Sequence, residues 1–227
     1  MTDSMVGFNP ECRACPRLAE FLDATKVQYP TYFCRPVAPF GDPSARLLIV
    51  GLAPGMHGAN RTGRPFTGDH AGILLYETLH RFGFATGPVS VAADDGLRLI
   101  DCRITNAVKC LPPANKPETA EIVRCNAFLR SELQTMAPGT AVLALGLIAH
   151  NAVLRALGLK AGTRSFFHTA RHDLPGSLTL FDSYHCSRYN TQTRRLTPEA
   201  FAAVFVAIRA FLEVSPCPLS ASSSLEN

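Results

Sequence analysis

Tryptophan is absent from the 227 residues, and no apolar run is longer than a strand needs. The first point carries little. The second excludes a bilayer-spanning segment, which takes about 20 apolar residues. The N-terminus MTDSMVGFNPE has no charged start followed by an apolar stretch, so no secretory signal is expected and a cytoplasmic location is the default. There is no internal repeat. A glycine-rich loop follows the first apolar run, yet it lacks the Gly-Lys-Ser/Thr ending of a nucleotide-phosphate loop. The net charge of +4 is small, which permits an anionic partner without requiring one.

The chain does contain eight cysteines. In a reducing compartment clustered thiols ligate metal or do redox chemistry more often than they form disulfides. Cys12 and Cys15 form a CxxC pair, with Cys110 and Cys125 well downstream. Such a set holds either zinc or an iron–sulfur cluster, or it is an accident of two buried cysteines and a chance CxxC; spacing does not decide. Cys34, Cys102, Cys186 and Cys217 have no such partners and read as ordinary thiols.

Hydrophobic patterning alternates strand and helix. Strands are expected at Arg46–Gly51, within LRLIDCRITNAV, at AVLALG and at LTLFDSYH. Helices are expected after CRAC, near His70–Phe82, within PETAEIVRCNAFLRSELQTM, at LIAHNAVLRAL and from Thr197-Pro198 onward, where threonine reads as an N-cap with proline at the first helical position. This order predicts an α/β domain over residues 1–213, a parallel sheet covered on both faces. The small, polar residues 214–227 have the composition of a disordered tail or of vector sequence. In such folds ligands sit beyond the carboxyl ends of the strands. Three polar segments fall there: GLAPGMHGANRTGRPFTGD (51–69), ITNAVKC with the turn after it, and SYHCSRYNTQT.

Those three segments, together with Cys12, Cys15, Cys110 and Cys125, resemble the motifs of the iron–sulfur uracil-DNA glycosylases, and most closely family 5, the b type. The similarity runs from Cys12 to about Phe211. It implies a three-layer α/β/α sandwich around a four-stranded parallel sheet and a [4Fe–4S] cluster on the four cysteines. It also implies excision of uracil, and of other deaminated bases such as hypoxanthine, from DNA in base excision repair. The partner is then uracil-containing DNA, the setting the nucleoid, and the expected state a monomer with no membrane attachment.

Under that resemblance the glycine loop becomes a base pocket. Phe66 stacks on an everted pyrimidine, and Gly51, Gly55, Gly63 and Gly68 let the backbone come close where a Cβ would collide, with Gly51, Ala53 and Gly55 against the base and His57 at the pocket's edge. A plain core role is the competing reading of Phe66. His185 is the expected donor to the base O2, where negative charge collects. Asp69 either orients the attacking water or simply caps the following helix; Leu52 and Ala53 stand where related families carry a polar residue. Asn106 matches the uracil-reading asparagine of family 4. Asn115 touches base or water, or serves only turn chemistry. Ser187, Arg188, Tyr189, Asn190, Gln192 and Arg194 are expected to meet DNA. A cluster-bearing DNA binder without activity is the alternative that Leu52 and Ala53 raise.

Overall fold

The computed structural model describes residues 7–214. Six strands form one sheet in the order β1-β3-β2-β4-β6-β5. The central four, β3 (Cys102–Asn106), β2 (Leu47–Gly51), β4 (Ala141–Leu145) and β6 (Leu178–Ser183), are parallel. Every residue of β2, β4 and β6 is buried, which is why LLIVG and AVLAL read as unbroken apolar runs.

The expected four-stranded sheet is thus its centre, and two short antiparallel strands widen it. β1 (Phe40–Gly41) pairs with β3, and β5 (Arg171–Leu174) pairs with β6. Neither carries a pattern that a sequence reader could use. β1 is two residues long, and RHDL is a mostly solvent-facing edge. Polar residues on an edge also discourage pairing with another chain.

Alternate strand residues point to opposite faces. Leu47, Ile49, Ile104 and Leu143 pack with α3 (His70–Arg81) and α7 (Pro198–Val214). Leu48, Val50, Val142 and Leu180 pack with α4 (Thr119–Gln134) and α5 (Leu147–Ala156). The result is three layers, helices on both sides of the sheet. Thr197 does cap α7, its hydroxyl accepting from Ala200 N at 3.1 Å. The segment 214–227 lies outside the described residues except for Val214, which ends α7. Cys217 also falls outside them.

α1 (Pro16–Gln28) joins this body at one end of the sheet. Leu18 packs with Val108 and Cys125, and Arg17 makes a two-pronged bond to Glu121 of α4, at 2.8 and 2.7 Å. The loops leaving the carboxyl ends of β2, β3 and β6 emerge together at the rim, and β2 and β3 stay joined beyond their ends through Ala107 N to Gly51 O and Val108 N to Leu52 O, both 2.9 Å. Among the described residues no helix is long and apolar enough to cross a membrane.

Candidate active site

The three rim loops enclose a cleft of about 350 Å³. The β2 loop contributes Ala53, Gly55, Phe66 and Asp69; β3 and its loop contribute Asn106 and Asn115; the β6 loop contributes His185, Ser187 and Arg188. Residues distant in sequence meet there because parallel strands deliver all their carboxyl ends to the same edge.

Phe66 and Asn106 form the floor. The Phe66 ring is buried, and its backbone is left-handed, φ 54°, an unusual state for a bulky residue. Gly51 accounts for the fit between floor and strand. A Cβ there would strike the Asn106 amide oxygen and come within 2.6 Å of Phe66 Cζ. Beneath the loop, Tyr76 donates to Pro65 O at 2.9 Å. Asn106 is 3% exposed, and its Oδ1 is buried with no hydrogen-bond partner. Such an atom is costly to leave bare, by roughly 1–3 kcal/mol, so a ligand N–H has a place to go.

Asp69 does two things at once. Its Oδ1 accepts from Gly72 N at 2.9 Å and caps α3. Its Oδ2 lies toward Gly58 and Gly55, where a Gly58 Cβ would collide with it, and the side chain lines the cleft. Burial raises the carboxyl above the usual range, while the N–H groups of Gly72 and Ala71 act the other way. His185 is half-buried, and its removal from water pushes the imidazole down to about 4. At neutral pH it is an uncharged N–H donor. Its ring lies 5.9 Å from that of Phe66, tilted by 31°, and its carbonyl accepts from Asn190 Nδ2 at 2.8 Å.

The remaining predicted residues distribute as follows. Asn115 lines the cleft from an exposed turn at φ 55°. Ser187 and Arg188 also line it; Ser187 is the N-cap of α6 (Arg188–Gln192). Tyr189 is 71% exposed on that helix. Asn190 turns its amide inward to His185. Gln192 and Arg194 line a second groove, shared with Ile73 and Glu77, that meets the cleft at His70. His57 is not in the cleft. It is exposed, with Nδ1 2.9 Å from the Tyr32 hydroxyl and its ring edge-on to Tyr29. The pocket edge expected at His57 is supplied by its neighbours in the turn, Gly55 and Ala59.

Sequence reading passed over Arg64. It is buried and bonds Thr67 at 2.9 Å, Ser90 at 2.7 Å and Asp95 at 2.6 Å. Burial alone would raise the Asp95 carboxyl, but Arg64 and the N–H groups of Leu97, Val91 and Ala92 more than offset it and hold it well below the usual range. This network underlies the loop that presents Phe66. Nothing in GRPFT separates a buried arginine from one waiting for phosphate.

Away from the cleft, Cys12, Cys15, Cys110 and Cys125 line one cavity of about 140 Å³ between α1, the loop after β3, and α4, with Leu18, Val108 and Phe128 around them. Lys109 N donates to Cys125 Sγ at 3.3 Å, and Arg124 reaches Cys15 Sγ at 3.9 Å. Burial, reinforced by the neighbouring thiols, pushes Cys110 up to about 12. Thiols of that kind ionise only when a cation joins them. Four soft donors in an apolar hollow, with N–H groups aimed at sulfur, fit a thiolate-bound metal or metal–sulfur cluster. The other described thiols are placed differently. Cys34 takes a weak bond from Asn60 at 3.5 Å, and Cys102 and Cys186 are wholly buried.

A three-layer fold with an aromatic, an amide and a neutral imidazole facing one rim cleft defines a protein built to hold a flat heterocycle. Residues 38–209 match the family model of the uracil DNA glycosylase superfamily. The chain is 46% identical over 200 residues to a type-5 uracil-DNA glycosylase of Thermus thermophilus, covering 86% of this chain and 91% of that one. It is 42% identical over 206 residues to one of Pyrobaculum aerophilum (89% of each), and 43% identical over 202 residues to one of Mycobacterium leprae (86% and 88%). The chain belongs to the uracil-DNA glycosylase superfamily, in its type-5 family.

Proposed function

We propose that the protein hydrolyses the bond between C1′ and the base nitrogen of deoxyuridine in DNA, leaving an abasic site for base excision repair. The observation that carries this reading is the buried, unpartnered Asn106 Oδ1 on the floor of a cleft that also holds Phe66 and His185. Uracil N3–H donates to an amide oxygen and its O4 accepts from the amide nitrogen. Cytosine presents the reverse pattern.

An enzyme that reads a base in this way must first take it out of the stack. Phe66 then lies beneath the ring. As the glycosidic bond lengthens, electrons move into the base and positive charge grows on the sugar. His185 answers the first change by donating N–H to O2, where the leaving group is most negative. Being neutral, it gains interaction as charge develops rather than binding an anion from the start. The Asp69 carboxylate answers the second and holds the attacking water, accepting its proton as the new C1′–O bond forms. Capping leaves Oδ2 on the cleft side for this role. Asn115 assists in placing the water or base.

Arg188 at the cleft mouth, with Ser187, Gln192 and Arg194, engages the DNA backbone, and Tyr189 is the exposed ring suited to fill the vacated stack. Cys12, Cys15, Cys110 and Cys125 would hold a [4Fe–4S] cluster. That group would tie α1, the β3 loop and α4 together, and no step of the hydrolysis passes through it. The domain so constituted spans residues 1–213 and acts as a monomer in the cytoplasm, at the nucleoid.

The test is a panel of oligonucleotides carrying uracil, hypoxanthine or thymine mismatches, followed by alkaline cleavage. Strand scission at uracil is expected, with hypoxanthine a slower substrate. DNA binding without scission at any base would overturn the proposal.

A further inference from the structure

β6 carries a second set of polar groups that the reaction above does not use. Asp182 shares the strand face of Leu178 and Leu180, and it is completely buried there. Its Oδ1 lies 2.8 Å from His150 Nδ1 of α5, and its Oδ2 lies 3.3 Å from His172 Nε2 of β5. One donor atom from each of the three side chains lies within 4.8 Å of the other two.

The proton positions make this arrangement informative. His150 Nε2 lies 3.0 Å from the carbonyl of Arg164. A carbonyl only accepts, so Nε2 bears the hydrogen. A neutral His150 then directs its Nδ1 lone pair at a carboxylate, and two electron-rich atoms at 2.8 Å need a cation. The other half of the carboxylate faces the second imidazole. Asp182 Oδ2 and His172 Nε2 are both buried and neither has a hydrogen-bond partner, although they are only 3.3 Å apart. Protons on His150 Nδ1 and His172 Nε2 would satisfy the two contacts one at a time. A single metal ion held by all three side chains satisfies both.

An ion takes one donor atom from each side chain, and the three lie within 4.8 Å of one another; bound at about 2.0–2.2 Å they would draw in to roughly 3 to 3.5 Å. The bond from His150 Nε2–H to a backbone carbonyl is also the outer contact that a metal-bound imidazole commonly makes. We propose that His150, His172 and Asp182 form a binding site for a divalent transition metal, zinc foremost, separate from the four-cysteine cavity. Two imidazoles and a carboxylate suit zinc or iron(II). Of the three side chains only His172 reaches the surface, at 12% exposure, so a fourth ligand, water, enters from its side. The ion fastens α5 and the edge strand β5 to β6, three residues ahead of His185. It also fixes the cover above His150, where the Phe166 ring stands edge-on at 5.6 Å and meets Tyr184 at 6.2 Å.

The experiment uses the full-length, iron-containing protein, wild type and His172→Ala. Each is equilibrated with zinc, freed of excess on a desalting column, and its zinc and iron are counted by mass spectrometry; thermal unfolding is then followed with and without zinc. About one zinc per chain is expected on the wild type, with a higher melting temperature when zinc is present. His172 lies on the edge strand β5, so His172→Ala should fold; it is expected to lose both the zinc and the thermal gain while keeping its iron. A wild type that retains no zinc overturns the proposal, and so does a His172→Ala protein that retains as much. Neither readout depends on base excision.

Discussion

Replacing His185 with alanine tests the chemistry most directly. In the folded protein this imidazole is neutral at pH 7, since burial pushes it down to about 4. It therefore carries one N–H donor and no net charge. Removing a donor aimed at a developing anion costs about 3–4 kcal/mol of transition-state stabilisation. At about 1.4 kcal/mol per decade, this is a fall of two to three orders of magnitude in the excision rate. Ground-state affinity for DNA should change far less, because the uncharged uracil O2 gains little from the same bond. The measurement is single-turnover cleavage of a labelled uracil oligonucleotide, paired with binding to a duplex whose uracil carries a 2′-fluorine and does not react. His185→Gln keeps an N–H on a shorter reach and should recover part of the rate. A loss of tenfold or less, or an equal loss of rate and affinity, would refute the assignment.

Asp69 is separable into its two parts by a pair of variants. Asp69→Asn keeps an oxygen for Gly72 N and should retain stability while excision slows, whereas Asp69→Ala should also lose about 1 kcal/mol of folding stability with the cap; equal rates in Asp69→Asn and wild type would leave only capping. Asn106→Asp cannot donate to uracil O4 and places charge on the floor, so excision should fall at least a hundredfold, by about 3 kcal/mol. Full activity with uracil would remove Asn106 as the reader. Cys110→Ser should lower bound iron and bleach the brown colour of an iron–sulfur protein; a colourless wild type carrying zinc at the thiols would refute the cluster. His185 also predicts an acid response. The unfolded chain takes up its proton near pH 6.5 and the native one only near 4, so stability should decline as pH falls between those values, by no more than about 3 kcal/mol. Urea titrations should find this slope reduced in His185→Ala.

How much was readable beforehand depended on whether a signal was local. β2 and β4 announce themselves because a strand covered on both faces has no reason to carry polar residues. Asp69 was legible as cap or catalyst, and the structure gives each carboxylate oxygen its own surroundings, Oδ1 at Gly72 N and Oδ2 at Gly55 and Gly58. Arg64 was not legible, since its partner Asp95 lies 31 residues away in a segment without periodicity. For the same reason Asn190, in a string of polar residues, gave no sign that it turns back to the His185 carbonyl. His57 was drawn into the pocket by sharing a loop with residues that are there; one turn of chain sends it out to Tyr32. The His150–Asp182–His172 set spans three elements with no common spacing, and no motif would have joined it.

Gly72 has one further consequence. A Cβ at this position would overlap the Phe66 carbonyl, while its amide holds Asp69. Phe66 through its backbone and Asp69 through its carboxylate therefore both bear on the first turn of α3, so any side chain at position 72 would displace both.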